Sequence, residues 1–287
     1  MKAPRFAYAR PASLAEALAL LAEYKDDARV LAGGQSLVPM MNFRVAAPKV
    51  LVDINRIAGL SGIKVAKNHL RIGALTRHVE IERSAEIAHH LPLIAAAMPH
   101  IAHPAIRNRG TFGGSCALGD PAAELPACAL ALGATFIAAG KKGERRIAAR
   151  DFFTGLYATA LKAGELLVAA EFPLPKPGYA SAFGELARRH GDYAKVGVAA
   201  HGSTQGGKLS DMRVVFFGVE DRPERTARLE RALDGQPATQ KTVESAIAEL
   251  DADLSPRADL HGSAATKLHL AKVLAARVLK TMEGVAA

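Results

Sequence analysis

AGGQSLVPMMNFRVAAPKVLVDI at residues 32–54 and IRNRGTFGGSCALGDPAAELPA at residues 106–127 decide how this chain is read. Each carries a glycine pair: Ala32-Gly33-Gly34-Gln35-Ser36 in the first, Thr111-Phe112-Gly113-Gly114-Ser115 in the second. Glycine permits positive φ and lets another group approach the backbone closely. Successive N–H groups exposed in such turns form a concavity that holds an anion. Ser36, Thr111 and Ser115 add hydroxyl donors. Brought together, two such turns hold a diphosphate without help from lysine or arginine; kept apart, each is an ordinary tight turn. Neither is a P-loop, since no G-x-x-x-x-G-K-S/T is present, and no G-x-G-x-x-G joins a strand to a helix in a βαβ unit.

The surroundings of these stretches read as small α+β units. Ser13 and Glu16 form a capping box ahead of Leu14, Ala17, Leu18, Leu21 and Ala22, which predicts a helix from Ser13 to Tyr24. Short strands are predicted at Arg29–Leu31 and Val50–Ile54, and a hairpin at Gly62–Ala66 and His69–Gly73. Thr76 is placed to cap a helix through Arg83, and Leu91–Met98 reads as another. Pro121 suits the first turn of a helix running to Leu132. Paired strands are expected at Phe136–Ala139 and Arg145–Ala148, and a further strand at Leu166–Phe172. Pro173, Pro175, Pro177 and Gly178 mark a linker. Beyond it, Ala180–Arg188, Val196–Thr204 and Met212–Val219 read as a three-stranded meander. Helices at Glu224–Leu233, Thr239–Leu250 and Ala264–Met282 follow, the order of a separate α+β layer domain.

Composition excludes several classes. With 49% hydrophobic and 23% charged residues, the 287-residue chain is not largely disordered. The charge-free run Leu125–Gly140 falls short of the ~20 apolar residues of a membrane span. MKAPRFAYARP at the N-terminus lacks the apolar core and small-residue site of a secretory signal, so a cytoplasmic protein is expected. Two cysteines, Cys116 and Cys128, do not support a disulfide framework or a cysteine-held metal or iron–sulfur site. The net charge of +9 is scattered, and with 5% aromatic residues and no tryptophan a base-stacking platform is poorly supplied. The same charge serves a solvated surface, an anionic cofactor or an acidic partner subunit.

Other candidate residues are fewer. Asp120 and Glu124 lie four apart across Pro121, on one face at the start of the expected helix. They serve either as helix caps or as carboxylates gripping ligand hydroxyls such as a ribityl chain. His89, His90, His100 and His103 lack a cysteine set or an H-E-x-x-H, so no metal site is expected. No G-x-S-x-G marks a hydrolase. Gly191-Asp192-Tyr193-Ala194 is either a turn with a half-buried tyrosine or a loop that lays Tyr193 over a flat ring.

Together, the two long stretches and ARRHGDYA at residues 187–194 resemble the flavin-binding medium subunits of the molybdenum hydroxylases. That family includes carbon monoxide dehydrogenase, quinoline oxidoreductase and the flavin portion of xanthine dehydrogenase. The resemblance runs from the first helix to the last. It implies an α+β FAD-binding fold of the vanillyl-alcohol oxidase and p-cresol methylhydroxylase type, with two subdomains (1–58 and 59–175). A C-terminal domain of three strands and helices (176–287) is implied to follow. It implies that Ala32, Gly33, Gly34, Gln35, Ser36 and Leu37 cradle the FAD diphosphate from one side, and Thr111, Gly113, Gly114 and Ser115 from the other. Asp120 and Glu124 are implied near the ribityl chain and ring, Tyr193 against the ring, and Leu161 among the FAD-binding residues. Gln35 stands where many relatives carry His, and Glu124 where some carry Asp. The stretch holding Glu185 lacks the Lys found in members closest to xanthine dehydrogenase.

The resemblance also implies a function. The medium subunit receives electrons singly on FAD and passes them to an external acceptor. A large molybdopterin subunit hydroxylates the substrate, and a small subunit carries two 2Fe–2S clusters, in a dimer of heterotrimers. No catalytic acid or base is expected in this chain, since the flavin carries the chemistry. The rival readings are a stand-alone FAD-dependent oxidase or reductase of the same fold and a non-enzymatic nucleotide- or nucleic-acid-binding module.

Overall fold

The computed structural model describes residues 2–260 and 262–283. Ser13 accepts a hydrogen bond from Glu16 N–H, and the Glu16 carboxylate accepts one from Ala12 N–H at 2.8 Å. This reciprocal cap starts the helix Leu14–Tyr24, which buries Ala17 and Leu21. It packs on a parallel sheet of β1 (Ala7–Ala9), β2 (Ala28–Leu31) and β3 (Val50–Asp53), with β3 in the middle. All four residues of β3 are buried, as a central parallel strand requires.

A second sheet is wholly antiparallel. It contains β4 (Ile63–Val65), β5 (His69–Gly73), β6 (Thr135–Gly140) and β7 (Gly143–Ala148). After a small hairpin, β8 (Phe153–Gly155) with β9 (Ala158–Thr159), β10 (Leu166–Pro173) enters its centre in the order β4-β5-β10-β6-β7. Successive side chains on β6 feed opposite cores. Ile137 and Ala139 join the helix Leu14–Tyr24 and β3, while Phe136 and Ala138 join a larger core with Phe112, Phe152 and Phe172.

The third sheet holds β11 (Tyr179–Leu186), β12 (Val196–Ser203) and β13 (Ser210–Phe217) as a meander. The short β14 (Glu224–Arg225) pairs with the β13 edge. Helix Ala264–Glu283 covers one face, against Val198, Ala200 and Phe216. Helices Pro92–Ala97 and Glu124–Ala131 cover the other, where Ala199, Val215 and Phe217 join the large core. Every residue of Glu124–Ala131 is therefore buried, its first glutamate included. Cys116 and Cys128 are buried free thiols in this core.

Several expected boundaries move. Thr76 does not cap a helix: its hydroxyl is tied to Gly62 through both N–H and carbonyl, and Arg77 precedes the helix His78–Glu82. Pro121 does not open a helix either. Residues Asp120–Ala123 form a turn, closed by Ala122 N–H donating to Asp120 Oδ1 at 2.9 Å, and the helix begins at Glu124. The expected start at Glu224 is strand β14, with Thr226 before the helix Ala227–Leu233. The helix expected over Thr239–Leu250 breaks up into Gln240–Ala246, a 3₁₀ turn and Leu250–Asp253.

Candidate functional site

The first glycine stretch leaves the carboxyl end of β2 and enters a short helix, Leu37–Asn42. Gly34 takes φ +73°, which glycine adopts without strain. Three carbonyls of this loop are engaged: Gln35 Nε2 donates to Gly33 O at 2.9 Å, Val38 N–H to Gly34 O and Met40 N–H to Ser36 O. Its N–H groups are not. Those of Gly33, Gly34, Gln35 and Ser36 meet no acceptor among the described residues. A row of donors left open beside a cleft fits an anion.

The second stretch is built differently from the expected turn. Thr111 caps the helix Phe112–Leu118, its hydroxyl accepting from Gly114 N–H at 3.1 Å. Phe112 N–H donates to Thr76 O, Gly113 N–H to Ala74 O and Ser115 N–H to Thr111 O. These donors are committed, so this stretch does not form a second concavity of free N–H groups. What it offers is close approach and hydroxyls, because Ser115 is half-buried with no bond to its side chain among the described residues. The two glycines also have separate roles. A Cβ on Gly113 would lie 2.4 Å from Ala74 Cβ and 2.7 Å from its Cα, so Gly113 packs the helix against the chain after β5. A Cβ on Gly114 would meet Thr111 Oγ1 at 2.7 Å and then nothing nearer than Ala32 Cβ at 3.9 Å, so Gly114 faces the first loop.

The two stretches meet at Gly33. A Cβ there would stand 2.3 Å from Arg109 O and 2.9 Å from Gly110 Cα. Beside this junction lies a cleft of about 360 Å³, lined by Gly33, Gly34, Gln35, Asp53, Asn55 and Arg109 among others.

A polar strut not foreseen from the sequence fixes the junction. Arg77 donates to Asn55 Oδ1 at 2.6 Å and, through its other terminal nitrogen, to Arg109 O. Asn55 Nδ2 donates to Ala32 O at 2.8 Å and to Asp53 Oδ1 at 2.6 Å, and the Tyr8 hydroxyl donates to Asp53 Oδ2. Burial alone raises the Asp53 carboxyl, but the hydrogen bonds from Tyr8 and Asn55 outweigh it and hold the group below its ordinary value. Asp53 had a sequence signal, being the only charged residue of the apolar run Val50–Ile54. Arg77 had none, since its partners come from distant parts of the chain. Arg77→Ala is expected to cost about 1–3 kcal/mol by leaving Asn55 Oδ1 and Arg109 O without that donor. Denaturant midpoints check this, and an unchanged midpoint would remove the strut from the account.

The carboxylates lie at the other end of the second stretch. Asp120 and Glu124 are 7% and 8% exposed. They do not share a helical face, because Asp120 sits in the turn ahead of the helix. Burial raises the Asp120 carboxyl, and burial with the charges of Glu185 and Asp120 pushes Glu124 up to about 8. Tyr157, at φ +50° in the β8–β9 turn, lies close enough to Asp120 for the carboxylate to raise its phenol, after burial. The Tyr193 side chain is exposed, yet its phenol end is partly desolvated, which with the charges of Asp120 and Glu124 raises it. Asp120, Glu124 and Tyr193 thus share one neighbourhood. Leu161 packs on the large core just after β9, whose Ala158 and Thr159 adjoin Gly119. Tyr157 and Glu185 were missed because the sequence gives no sign that a hairpin and β11 converge here.

Residues 4–175 match the family model described as the FAD binding domain in molybdopterin dehydrogenase, and residues 181–282 the CO dehydrogenase flavoprotein C-terminal domain. The chain is 40% identical to the 6-hydroxypseudooxynicotine dehydrogenase complex subunit alpha of Paenarthrobacter nicotinovorans, over 97% of this chain and 95% of that one. It is 39% identical to the nicotine 6-hydroxylase medium subunit of the same organism, over 97% and 98%. The structure of carbon monoxide dehydrogenase from Hydrogenophaga pseudoflava lacking the Mo-pyranopterin moiety of its molybdenum cofactor superposes with a TM-score of 0.97. It is 38% identical and both chains are covered completely. No helix among the described residues is long and apolar enough to cross a membrane. A row of open backbone donors packed against a second glycine stretch, in a chain matched over nearly its whole length, has one family behind it: this chain belongs to the FAD-binding medium subunits of the molybdenum hydroxylases, and is an oxidoreductase component.

Proposed function

We propose that this chain is the electron-transfer subunit of a heterotrimeric molybdenum hydroxylase. The observation that carries the reading is the open donor row Gly33–Ser36, packed at Gly33 onto the backbone before Thr111. The residues present fit FAD. Ala32, Gly33, Gly34, Gln35, Ser36 and Leu37 hold the diphosphate through backbone N–H groups. Thr111, Gly114 and Ser115 close the other side, and Gly113 sets their helix in place. Asp120 and Glu124 accept from ribityl hydroxyls or the ring edge, while Leu161 and Tyr193 border the ring. FAD, when bound, supplies the redox chemistry, taking electrons singly from iron–sulfur centres and giving them to an external acceptor. The protein's share is to bind, orient and shield.

The partners in this reading are a large molybdopterin subunit and a small subunit with two 2Fe–2S clusters, arranged as a dimer of heterotrimers in the cytoplasm. That the nicotine 6-hydroxylase relative is a medium subunit, and that the carbon monoxide dehydrogenase has a molybdenum cofactor, supports it. So do the two buried thiols, which cannot ligate clusters. Within the chain, residues 1–58 and 59–175 act as the two FAD-binding subdomains and 176–287 as the C-terminal domain.

Purification of the native assembly tests this. A larger and a smaller chain are expected to co-purify, with flavin peaks on a broad iron–sulfur envelope. A pure flavin spectrum from this chain alone, bleached directly by an organic substrate, would favour a stand-alone oxidase or reductase. Tyr193→Ala is expected to change flavin reoxidation or potential while altering FAD affinity less than about tenfold, 1.4 kcal/mol. Unchanged reoxidation and potential would remove Tyr193 from the ring.

A further inference from the structure

The carboxyl cluster beside Tyr193 continues inward to Glu185. Glu185 lies on β11 with a side chain only 3% exposed. Its Oε1 stands 3.3 Å from His100 Nδ1, and its Oε2 has no hydrogen-bond partner among the described residues. An unpartnered buried carboxylate oxygen is costly as an anion and much cheaper when the group is protonated. At 3.3 Å the two groups lie within ion-pair distance, and a protonated carboxyl beside the neutral imidazole differs from a carboxylate beside it by one proton.

The groups facing this pair come from several elements. Glu124, on the buried helix Glu124–Ala131, is raised by Glu185 and by Asp120. Glu124 in turn raises Cys128, a turn further along that helix. His190, in the loop after β11, has its ring 5.4 Å from that of His100, and the Phe183 ring lies 5.1 Å from it. Tyr157 and Tyr193 lie near Asp120. Among the described residues, no lysine or arginine is a cause of the shift of Glu185 or Glu124. Burial pushes Glu185 up to about 7 and holds His100 below its ordinary value. Three carboxyls without a compensating cation therefore retain a proton near neutrality. His100, with a side chain 32% exposed, is the route to solvent.

We propose that Glu185 and Glu124, reached through His100, hold an exchangeable proton that is taken up when FAD covers the Asp120–Tyr193 face. This rests on the reading that Asp120, Glu124 and Tyr193 border the bound flavin. Covering that face removes water from carboxyls that have no cation to replace it, so the protonated form gains. The proton comes from solvent, and no bond to the flavin forms or breaks.

The test is calorimetric titration of FAD into the full chain stripped of its flavin, in buffers of differing ionisation enthalpy, which counts protons per FAD bound. Net uptake is expected near about pH 7.5, falling away towards about pH 5, where both carboxyls are already protonated. In Glu185→Gln, uptake at pH 7.5 should drop to half or less, because an amide holds no proton there. Glu124→Gln should lower it as well. FAD binding with no proton linkage in the unaltered chain between pH 6 and 9 would overturn the proposal while leaving the FAD site intact. Full linkage persisting in both variants would overturn the assignment to these residues. Failure of the unaltered chain to bind FAD would overturn the reading beneath it.

Discussion

Gly114→Val leaves a folded chain that no longer keeps FAD. The valine methyls enter the space between Gly114 and Ala32, 3.9 Å from the added Cβ, where the cofactor approaches. The folded chain pays little, since the only close neighbour is the hydroxyl of Thr111, the cap of the same helix. Disturbing that cap costs about 0.5–2 kcal/mol. The affinity for FAD should fall at least about 100-fold, some 2.7 kcal/mol. Gly113→Ala should do the reverse of this pattern: its Cβ strikes the Ala74 backbone, so folding suffers first. Gly33→Ala forces apart the contact with Arg109 O and should damage both. Flavin-fluorescence titration beside thermal melts separates the cases. A Gly114→Val chain with unaltered affinity would mean that the helix start does not face the diphosphate.

The second large effect is on stability against pH. Glu124 and Glu185 are pushed to about 8 and about 7 in the folded chain, above the ordinary value of 4.5. A carboxyl with a raised folded pKa stabilises fully below its unfolded value, and that contribution is lost as pH rises through the folded one. Glu124 and Glu185 should therefore withdraw stability from the flavin-free chain between about pH 4.5 and 8, on the order of 2–4 kcal/mol from the coupled pair, while His78 and His201, held by burial at about 4, add stability as pH rises to about 6.5, so the net loss falls above that pH. Asp53, Glu165 and Glu171 have lowered values, so they act in the opposite direction and at more acid pH. Glu124→Gln should stabilise at about pH 8.5 by about 2 kcal/mol and be close to neutral near pH 5. Urea midpoints at the two pH values measure it. Equal effects at both would show that Glu124 is not held protonated.

Much of this was legible because local chemistry agreed with the fold. The Ser13 and Glu16 cap, the long alternating strands and the glycine pairs each announced themselves. The glycine pairs did not reveal that one would keep its N–H groups open and the other would spend them. That difference depends on Ala74 and Thr76 carbonyls supplied from elsewhere in the chain. Pro121 suggested a helix start, but the Asp120 side chain closed a turn first. The helix Leu37–Asn42 was invisible because Pro39 and a run of mixed apolar residues hide its period. Arg77, Tyr157 and Glu185 join the site only through tertiary approach, which local sequence does not encode.

The most direct measurement is the flavin content of the purified chain, with the released cofactor identified after denaturation. The predicted result is FAD, close to one per chain, lost in Gly114→Val and retained in Tyr193→Ala. FMN in its place, or no flavin even after incubation with FAD, would contradict the assignment of the open loop at Gly33–Ser36 to a dinucleotide's diphosphate.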